Sequence, residues 1–465
     1  MARPIMVMGC TSDAGKSFLV AALCRHIANQ GIKAAPFKAQ NMSNNAAVTP
    51  DGLEIGRAQY LQAVAARTTP QARMNPVLLK PSADTYSQVI VLGKYDPAIT
   101  ALPWLERRNL LWPIVQQSLH SLIEDYDQVV IEGAGSPAEV NLRSADIVNM
   151  AVALDCEADV YLVADIDRGG AFAHLLGTWA SLELHEQALI KGFILNKFRG
   201  DPTLLGNAMD WLQERTGIPT VAIIPMIQHA LPEEDALHHQ AEPEEGQINI
   251  ALIAYPYASN LDEFDPLIHE SGVTVVPVRE LTHLADYHAI ILPGSKNTAQ
   301  SLRYLRETGL AAEVCRAAQR GIPILGICGG MQMLGQAIHD PDRLEDGEMI
   351  GLGLLDLTTT LLAEKTTLQR EVRLSSGELI RGYEIHHGAT QAGSQTRPYV
   401  DEKLGWKQGN VMGVYLHGIL ENTAYRQRFL SQLGWQGATA DWQVFIDAQL
   451  NAVANLISDS GWFPS

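Results

Sequence analysis

The sequence predicts an α/β fold of two doubly wound domains, each a parallel sheet covered by helices on both faces. Three observations carry this expectation. Apolar runs of strand length end in glycine or polar turns and lead into stretches with apolar residues at helical spacing, the alternation that builds βαβ units. That alternation occurs twice, on either side of an acidic, proline-bearing segment. The chain's 465 residues also exceed what a single core usually organises.

Taken in order, residues 4–8 form an apolar run that breaks at Gly9, and residues 17–29 carry helical spacing. Runs at 128–131, 160–164, 192–195 and 220–224 supply the other strands of the first sheet. Periodicity then fades into an acidic stretch with prolines, which reads as an interdomain connection. The expected organisation is therefore a first domain over 1–227, a linker over 228–247 and a second domain over 248–465. Residues 248–254, 289–292 and 323–327 are strands of the second sheet, and helical patterns at 425–433 and 442–457 are assigned to that domain.

Composition narrows the function. A net charge of -18 repels a phosphate backbone, so nucleic acid is not the expected partner. No segment reaches the ~20 apolar residues of a membrane helix. Five cysteines without CxxC spacing suggest neither a disulfide framework nor a thiolate metal site, and fit a reducing cytoplasm.

The first motif lies between an expected strand and helix: Gly9, Thr11, Ser12, Asp13, Gly15, Lys16 and Ser17 form a glycine-bounded loop ending in Gly-Lys-Ser. Backbone N–H groups there can cradle phosphates, with Lys16 at the β/γ-phosphates and the Ser17 hydroxyl on Mg²⁺. Five residues separate Gly9 from Gly15, one more than in the common motif, so the loop resembles the dethiobiotin synthetase type of P-loop. Glu132 ends a buried-type strand, where a carboxylate can hold Mg²⁺. Asp51 is a further candidate metal ligand, although its Pro-Asp-Gly setting is equally good turn chemistry. Asn196 ends another strand and could pair with an adenine edge, with loop capping the equal alternative.

The second motif is Gly326-Ile-Cys328-Gly329-Gly330, a cysteine in a tight strand-to-helix turn, the frame of a thiol nucleophile. His417 follows another short apolar run and is the candidate base. The order Cys then His, about ninety residues apart, is shared with class I glutamine amidotransferases. The N–H of Gly329 and one from the loop at Gly294 would form the oxyanion hole.

Taken together, the chain resembles the cobyric acid synthase family over essentially its whole length. The resemblance rests on Phe37-Lys-Ala-Gln-Asn-Met-Ser43, Glu54-Ile-Gly-Arg-Ala-Gln59, Met74-Asn-Pro-Val-Leu-Leu-Lys-Pro81, Asn141-Leu-Arg-Ser-Ala-Asp146-Ile-Val-Asn149, Asp165-Ile-Asp-Arg-Gly-Gly170 and Gly382-Tyr-Glu-Ile-His386. It implies a P-loop NTPase-like first domain and a class I glutamine amidotransferase-like second domain. The implied cofactors are ATP and Mg²⁺, and the implied reaction amidates the b, d, e and g carboxylates of adenosylcobyrinic acid a,c-diamide with ammonia from glutamine. A homo-oligomer is compatible with this reading.

Asp146, with the Asp165, Asp167 and Arg168 group, is a candidate for acid/base or positioning work at the acceptor carboxylate, with helix capping or ion pairing the equal alternative. Lys38, Arg57, Lys80 and Arg168 could make a locally basic acceptor site. Many class I members carry Glu two residues after the histidine, where this chain has Ile419. The expectation is that Glu384, Glu421 or a backbone carbonyl orients His417, and that the poorly stabilised imidazolium makes a slow or acceptor-gated glutaminase. The rival readings are a cobyrinic acid a,c-diamide synthase, disfavoured by the segments at Gln40 and Glu54, and a partitioning-type ATPase switch. The switch needs a lysine after the first glycine of the loop, where this chain has Cys10.

Overall fold

The computed structural model describes residues 2–83, 86–232, 241–401 and 403–462. The first sheet has six parallel strands in the order Thr220–Pro225, Ile190–Phe198, Asp159–Asp165, Ile5–Gly9, Gln128–Glu132 and Ala34–Phe37. The central strands are buried apolar runs because helices cover both faces, which is why they read as runs and not as alternations. Ile5–Gly9 lies between Asp159–Asp165 and Gln128–Glu132, so the phosphate-loop motif and Glu132 emerge side by side at the carboxyl ends of neighbouring strands.

The second sheet runs Val273–Val278, Ile248–Ile253, Ala289–Leu292, Ile324–Ile327, Val411–Val414, Gly405–Gln408 and Arg397–Pro398. Its first five strands are parallel, and each of the last two pairs antiparallel with the strand before it. The three adjacent strands Ala289–Leu292, Ile324–Ile327 and Val411–Val414 thus end beside one another, carrying the Gly294 loop, Cys328 and His417.

Two features depart from the sequence expectation. The helix Trp442–Asp459 leaves the second domain and lies on the first. Its Trp442, Ile446, Leu450, Val453 and Ile457 share an apolar cluster with Leu19, Leu23 and Ile27 of the helix Lys16–Asn29. Arg25 and Asp447 form an ion pair across the two helices at 2.5 Å. Helical spacing showed an apolar stripe, but a stripe does not name the surface it covers. Of the segment expected as linker, residues 233–240 lie outside the described residues.

The second departure is a long hairpin, Leu357–Arg373 with Leu379–Ala392, that reaches from the second domain onto the first. Its register jumps from the pair Leu361/Gly388 to Thr366/His386, and the extra residues of the first strand bulge out with Lys365 among them. On the first domain the small sheet Ala46–Val48 with Glu54–Gly56 receives this hairpin. Gln369 donates to the Val48 carbonyl at 2.6 Å, and Tyr383 to that of Ala46 at 3.2 Å.

Candidate active site

At the first centre, Gly15 has φ 91° and precedes the helix Lys16–Asn29, which has no side-chain cap; its first N–H groups therefore border the loop. Lys16 Nζ folds back to the carbonyls of Thr11 and Gly135, both at 3.2 Å. Glu132 is fully buried and collects three donors: Ser17 Oγ at 2.8 Å and Lys38 Nζ at 2.8 Å on one oxygen, and Gln62 Nε2 at 2.5 Å on the other. Burial opposes ionisation of Glu132, but the Lys38 ammonium and the hydrogen bonds of Lys38, Gln62 and Ser17 outweigh it and hold the carboxyl below its usual range.

The other expected residues of this centre divide. Asn196 is buried and donates to the Ala14 carbonyl at 2.8 Å, so its amide braces the loop from beneath. A Cβ on Gly15 would collide with that amide nitrogen, which explains the glycine. Gly9, Thr11 and Ser12 lie within the loop, and Asp13 pairs with Arg168 at 3.4 Å.

Asp51 is elsewhere: it sits in an exposed turn and accepts from Thr49 Oγ1 at 2.5 Å, while the neighbouring Gly52 packs near the Thr367 carbonyl of the hairpin. These contacts fit the turn reading of Pro-Asp-Gly. Among the described residues no group of three or more His, Cys, Asp or Glu is arranged for a metal.

Asp146 is also corrected. Its carboxylate accepts the backbone N–H groups of Val148, Asn149 and Ala151 at 2.8, 2.9 and 2.9 Å, which makes it the anchor of the turn entering the helix Met150–Asp155 and leaves it committed to backbone. The expected basic acceptor site is dispersed as well: Lys38 serves Glu132, Lys80 serves Glu54 at 2.5 Å, Arg168 serves Asp13 and Asp165, and Arg57 reaches into the second domain.

At the second centre, Cys328 has φ 50° and ψ -109°, a strained conformation held between the strand Ile324–Ile327 and the helix Gly329–Leu334. The turn is possible because Gly330 runs against the preceding strand; a Cβ there would collide with the Leu292 carbonyl oxygen. Cys328 N–H donates to the Val414 carbonyl at 2.7 Å, which ties the sulfur's turn to the strand leading to His417. Ser295 N lies 2.9 Å from the position a Gly329 Cβ would occupy, so the Gly294–Ser295 backbone and Gly329 border one space.

His417 and Cys328 line one cavity, and the Cys328 thiol donates to the Ile385 carbonyl at 3.6 Å. His417 Nδ1 lies 3.0 Å from Glu263 Oε1, and the other oxygen of Glu263 accepts the Gly418 N–H at 3.1 Å. With Nδ1 occupied, Nε2 is the ring nitrogen left for proton exchange. Tyr383 stacks on the imidazole at 5.3 Å between centroids. Burial alone would lower the His417 pKa, but the charge of Glu263, the neighbouring Cys328 and the Glu263 hydrogen bond push it up to about 10.

Glu263 replaces every orienting group expected from the sequence. Glu384 is engaged with Arg370 at 2.5 Å and His386 at 2.9 Å, and Glu421 with Arg57 at 3.0 Å. The expectation of a weakly stabilised imidazolium therefore loses its premise. One faint signal for Glu263 was present along the chain: adjacent carboxylates in Asn260-Leu-Asp-Glu-Phe264, flanked by residues that belong in a core.

Cys328 and His417 open on a cavity of about 80 Å³ at the junction of the two domains. The second domain contributes Ser295, Lys296 and Gln332, and the first contributes Asn44, Lys80 and Gln88. Its cationic wall surrounds Glu54, which receives Lys80 and Lys365, each at 2.5 Å. Burial, with Lys365 and Lys80 nearby, lowers Lys296 to about 7.

A phosphate-loop domain joined through a common cavity to a thiol–imidazole–carboxylate centre defines a nucleotide-using amidotransferase class. Comparison with known proteins agrees. Residues 5–237 match the CobQ/CobB/MinD/ParA nucleotide binding domain, and residues 249–425 match the CobB/CobQ-like glutamine amidotransferase domain. A cobyric acid synthase of Deinococcus radiodurans is 54% identical, with 97% of each chain covered, and one of Polaromonas sp. strain JS666 is 50% identical, with 92% of each covered. The chain belongs to the cobyric acid synthase family, and is a glutamine-dependent, amide-forming enzyme with a nucleotide-binding domain. Among the described residues no helix is long and apolar enough to cross a membrane.

Proposed function

We propose that this chain amidates the b, d, e and g carboxylates of adenosylcobyrinic acid a,c-diamide, a step of cobalamin biosynthesis, using ATP and glutamine. The observation that carries the glutamine half is the Cys328–His417–Glu263 array opening on a cavity shared by both domains. The substrate is inferred from the relatives' name and from the sequence segments that carry the family resemblance.

The Cys328 sulfur, its proton already given to His417, attacks the side-chain carbonyl carbon of glutamine. The oxyanion develops toward the backbone N–H groups of Gly329 and the Gly294–Ser295 loop. His417 returns the proton to the leaving nitrogen, ammonia departs, and water cleaves the thioester to glutamate. Glu263 holds the imidazole tautomer and stabilises its charged form.

In the first domain, the loop from Gly9 to Ser17 binds the phosphates of ATP and Lys16 leaves its carbonyl partners for the transferred group. The acceptor carboxylate takes the γ-phosphoryl group to give an acyl phosphate and ADP. Ammonia arriving through the interdomain cavity displaces phosphate and leaves the amide. The Ser17 hydroxyl and the Glu132 carboxylate, 2.8 Å apart at the loop, are oxygen donors suited to Mg²⁺, which would neutralise phosphate charge there. Asn196 supports the loop backbone.

The test is mass spectrometry of adenosylcobyrinic acid a,c-diamide incubated with ATP, Mg²⁺ and either glutamine or ammonium. Four successive carboxyl-to-amide changes are expected with both nitrogen sources, and with ammonium alone in Cys328→Ala. Amidation only of the undiamidated precursor would overturn the substrate and move the enzyme to an earlier step.

A further inference from the structure

The segment Glu54–Gln59 marks the family resemblance, yet the chemistry of the two centres leaves its arginine without a role. Arg57 belongs to the first domain, at the start of the nine-residue helix Arg57–Ala65, and its guanidinium enters the second domain. Arg57 Nε lies 2.5 Å from Asp262 Oδ2, and its Nη2 donates to Glu421 Oε1 at 3.0 Å. Asp262 is buried, and neither of its carboxylate oxygens takes a directed hydrogen bond. Among the described residues, Arg57 is therefore the compensating charge for Asp262. The next residue is Glu263, which orients His417.

We infer that Arg57 is a positioning residue of the glutaminase centre, supplied across the domain boundary by the nucleotide-binding domain. The inference rests on the reading of Cys328 and His417 as nucleophile and base. Asp262 and Glu263 occupy one short 3₁₀ turn, Leu261–Phe264, so the place of the first carboxylate fixes that of the second. Two buried anions on adjacent residues stay in place only while a cation offsets them. Arg57 does this with a planar fork that spans Asp262 and Glu421 together. The helix behind it is itself held, since Gln62 donates to Glu132 at 2.5 Å and to the Ser17 carbonyl at 3.4 Å. Without Arg57, Asp262 must move toward water or take up a proton, and Glu263 shifts away from Nδ1 of His417. Arg57 does not line the cavity that would receive glutamine, so binding and turnover should separate.

The experiment measures glutamine hydrolysis by the full chain for wild type, Arg57→Ala, Arg57→Lys, Arg57→Ala/Asp262→Asn and Cys328→Ala, with ammonium-supported amidation followed in the same preparations. Arg57→Ala should lower kcat for glutamine by about tenfold or more while KM stays within about threefold. The double variant should recover much of that loss, because a neutral amide at position 262 requires no cation. Ammonium-supported turnover should persist, which shows that the chain is folded. An Arg57→Ala kcat within about twofold of wild type, an equal loss with ammonium, or no recovery in the double variant would overturn the inference. If Arg57→Ala does not fold, the Arg57→Lys and double variants decide by the same criteria. Glutamine hydrolysis that survives Cys328→Ala would instead overturn the reading of the centre itself, and the role of Arg57 with it.

Discussion

Glu263 Oε1 and His417 Nδ1 lie 3.0 Å apart although 154 positions separate them in the chain. The carboxylate does for the imidazole what a glutamate beside the histidine does in many class I relatives, from the opposite end of the domain. Glu263→Gln should therefore lower glutamine-supported turnover by roughly 10²- to 10⁴-fold, the range for losing control of a catalytic histidine's tautomer and charge. Ammonium-supported amidation should be spared. Glutamate release beside amide formation checks both, and equal losses in the two assays would count against this role.

The same pair sets a pH dependence. The folded pKa of His417, about 10, lies above the ordinary histidine value, so the pair's contribution to stability is complete below about pH 6.5 and disappears as pH rises through about 10. The difference in thermal midpoint between wild type and Glu263→Gln should be greatest near pH 6 and shrink toward pH 10. A difference that grows with pH would show that the imidazole is neutral in the folded protein.

Glu132 is tied to Lys38, Gln62 and Ser17 within a buried site. Glu132→Ala removes the carboxylate that Lys38, Gln62 and Ser17 share, and breaking a buried ion pair typically costs about 3–5 kcal/mol. Chemical denaturation should show a loss of that order, and ATP-dependent amidation should be lost even with ammonium as nitrogen source. Full activity in the variant would remove Glu132 from the nucleotide centre.

Asp51 and Asp146 should behave as structural residues. Asp51→Ala should leave ammonium-supported turnover within about twofold, as suits an exposed turn side chain. Asp146→Ala removes the acceptor for three backbone N–H groups and should cost about 0.5–2 kcal/mol, the range for a lost cap. A large loss of turnover in Asp146→Asn without loss of stability would restore it as a catalytic candidate.

Leu450 is fully buried where the last helix meets the first domain. Leu450→Ala should destabilise that domain by about 2–5 kcal/mol while leaving glutamine hydrolysis unchanged at temperatures where the protein stays folded. Thermal unfolding followed beside glutamate release distinguishes this from a helix that serves the second domain.

What could be read along the chain is what local pattern can encode. Apolar runs marked most strands of the two parallel sheets, though not the edge strands Ala34–Phe37 and Val273–Val278, and the residues around Gly15 and Cys328 were legible because sharp turns demand small residues at fixed spacing. The Cys328 frame also led to His417, since both follow apolar strands of one sheet. Which distant groups these residues meet was settled by packing in three dimensions. Glu263 reaches His417 because a short turn brings two carboxylates under the sheet's carboxyl edge; Arg57 reaches Asp262 because a helix of one domain abuts the other; and the last helix lies on the first domain because its stripe fits the helix Lys16–Asn29. The same geometry turned Asp51 and Asp146 from candidate functional residues into turn and cap residues. Periodicity and spacing record which face of an element is apolar, whereas the partner of a buried charge is chosen by packing between segments far apart in the chain.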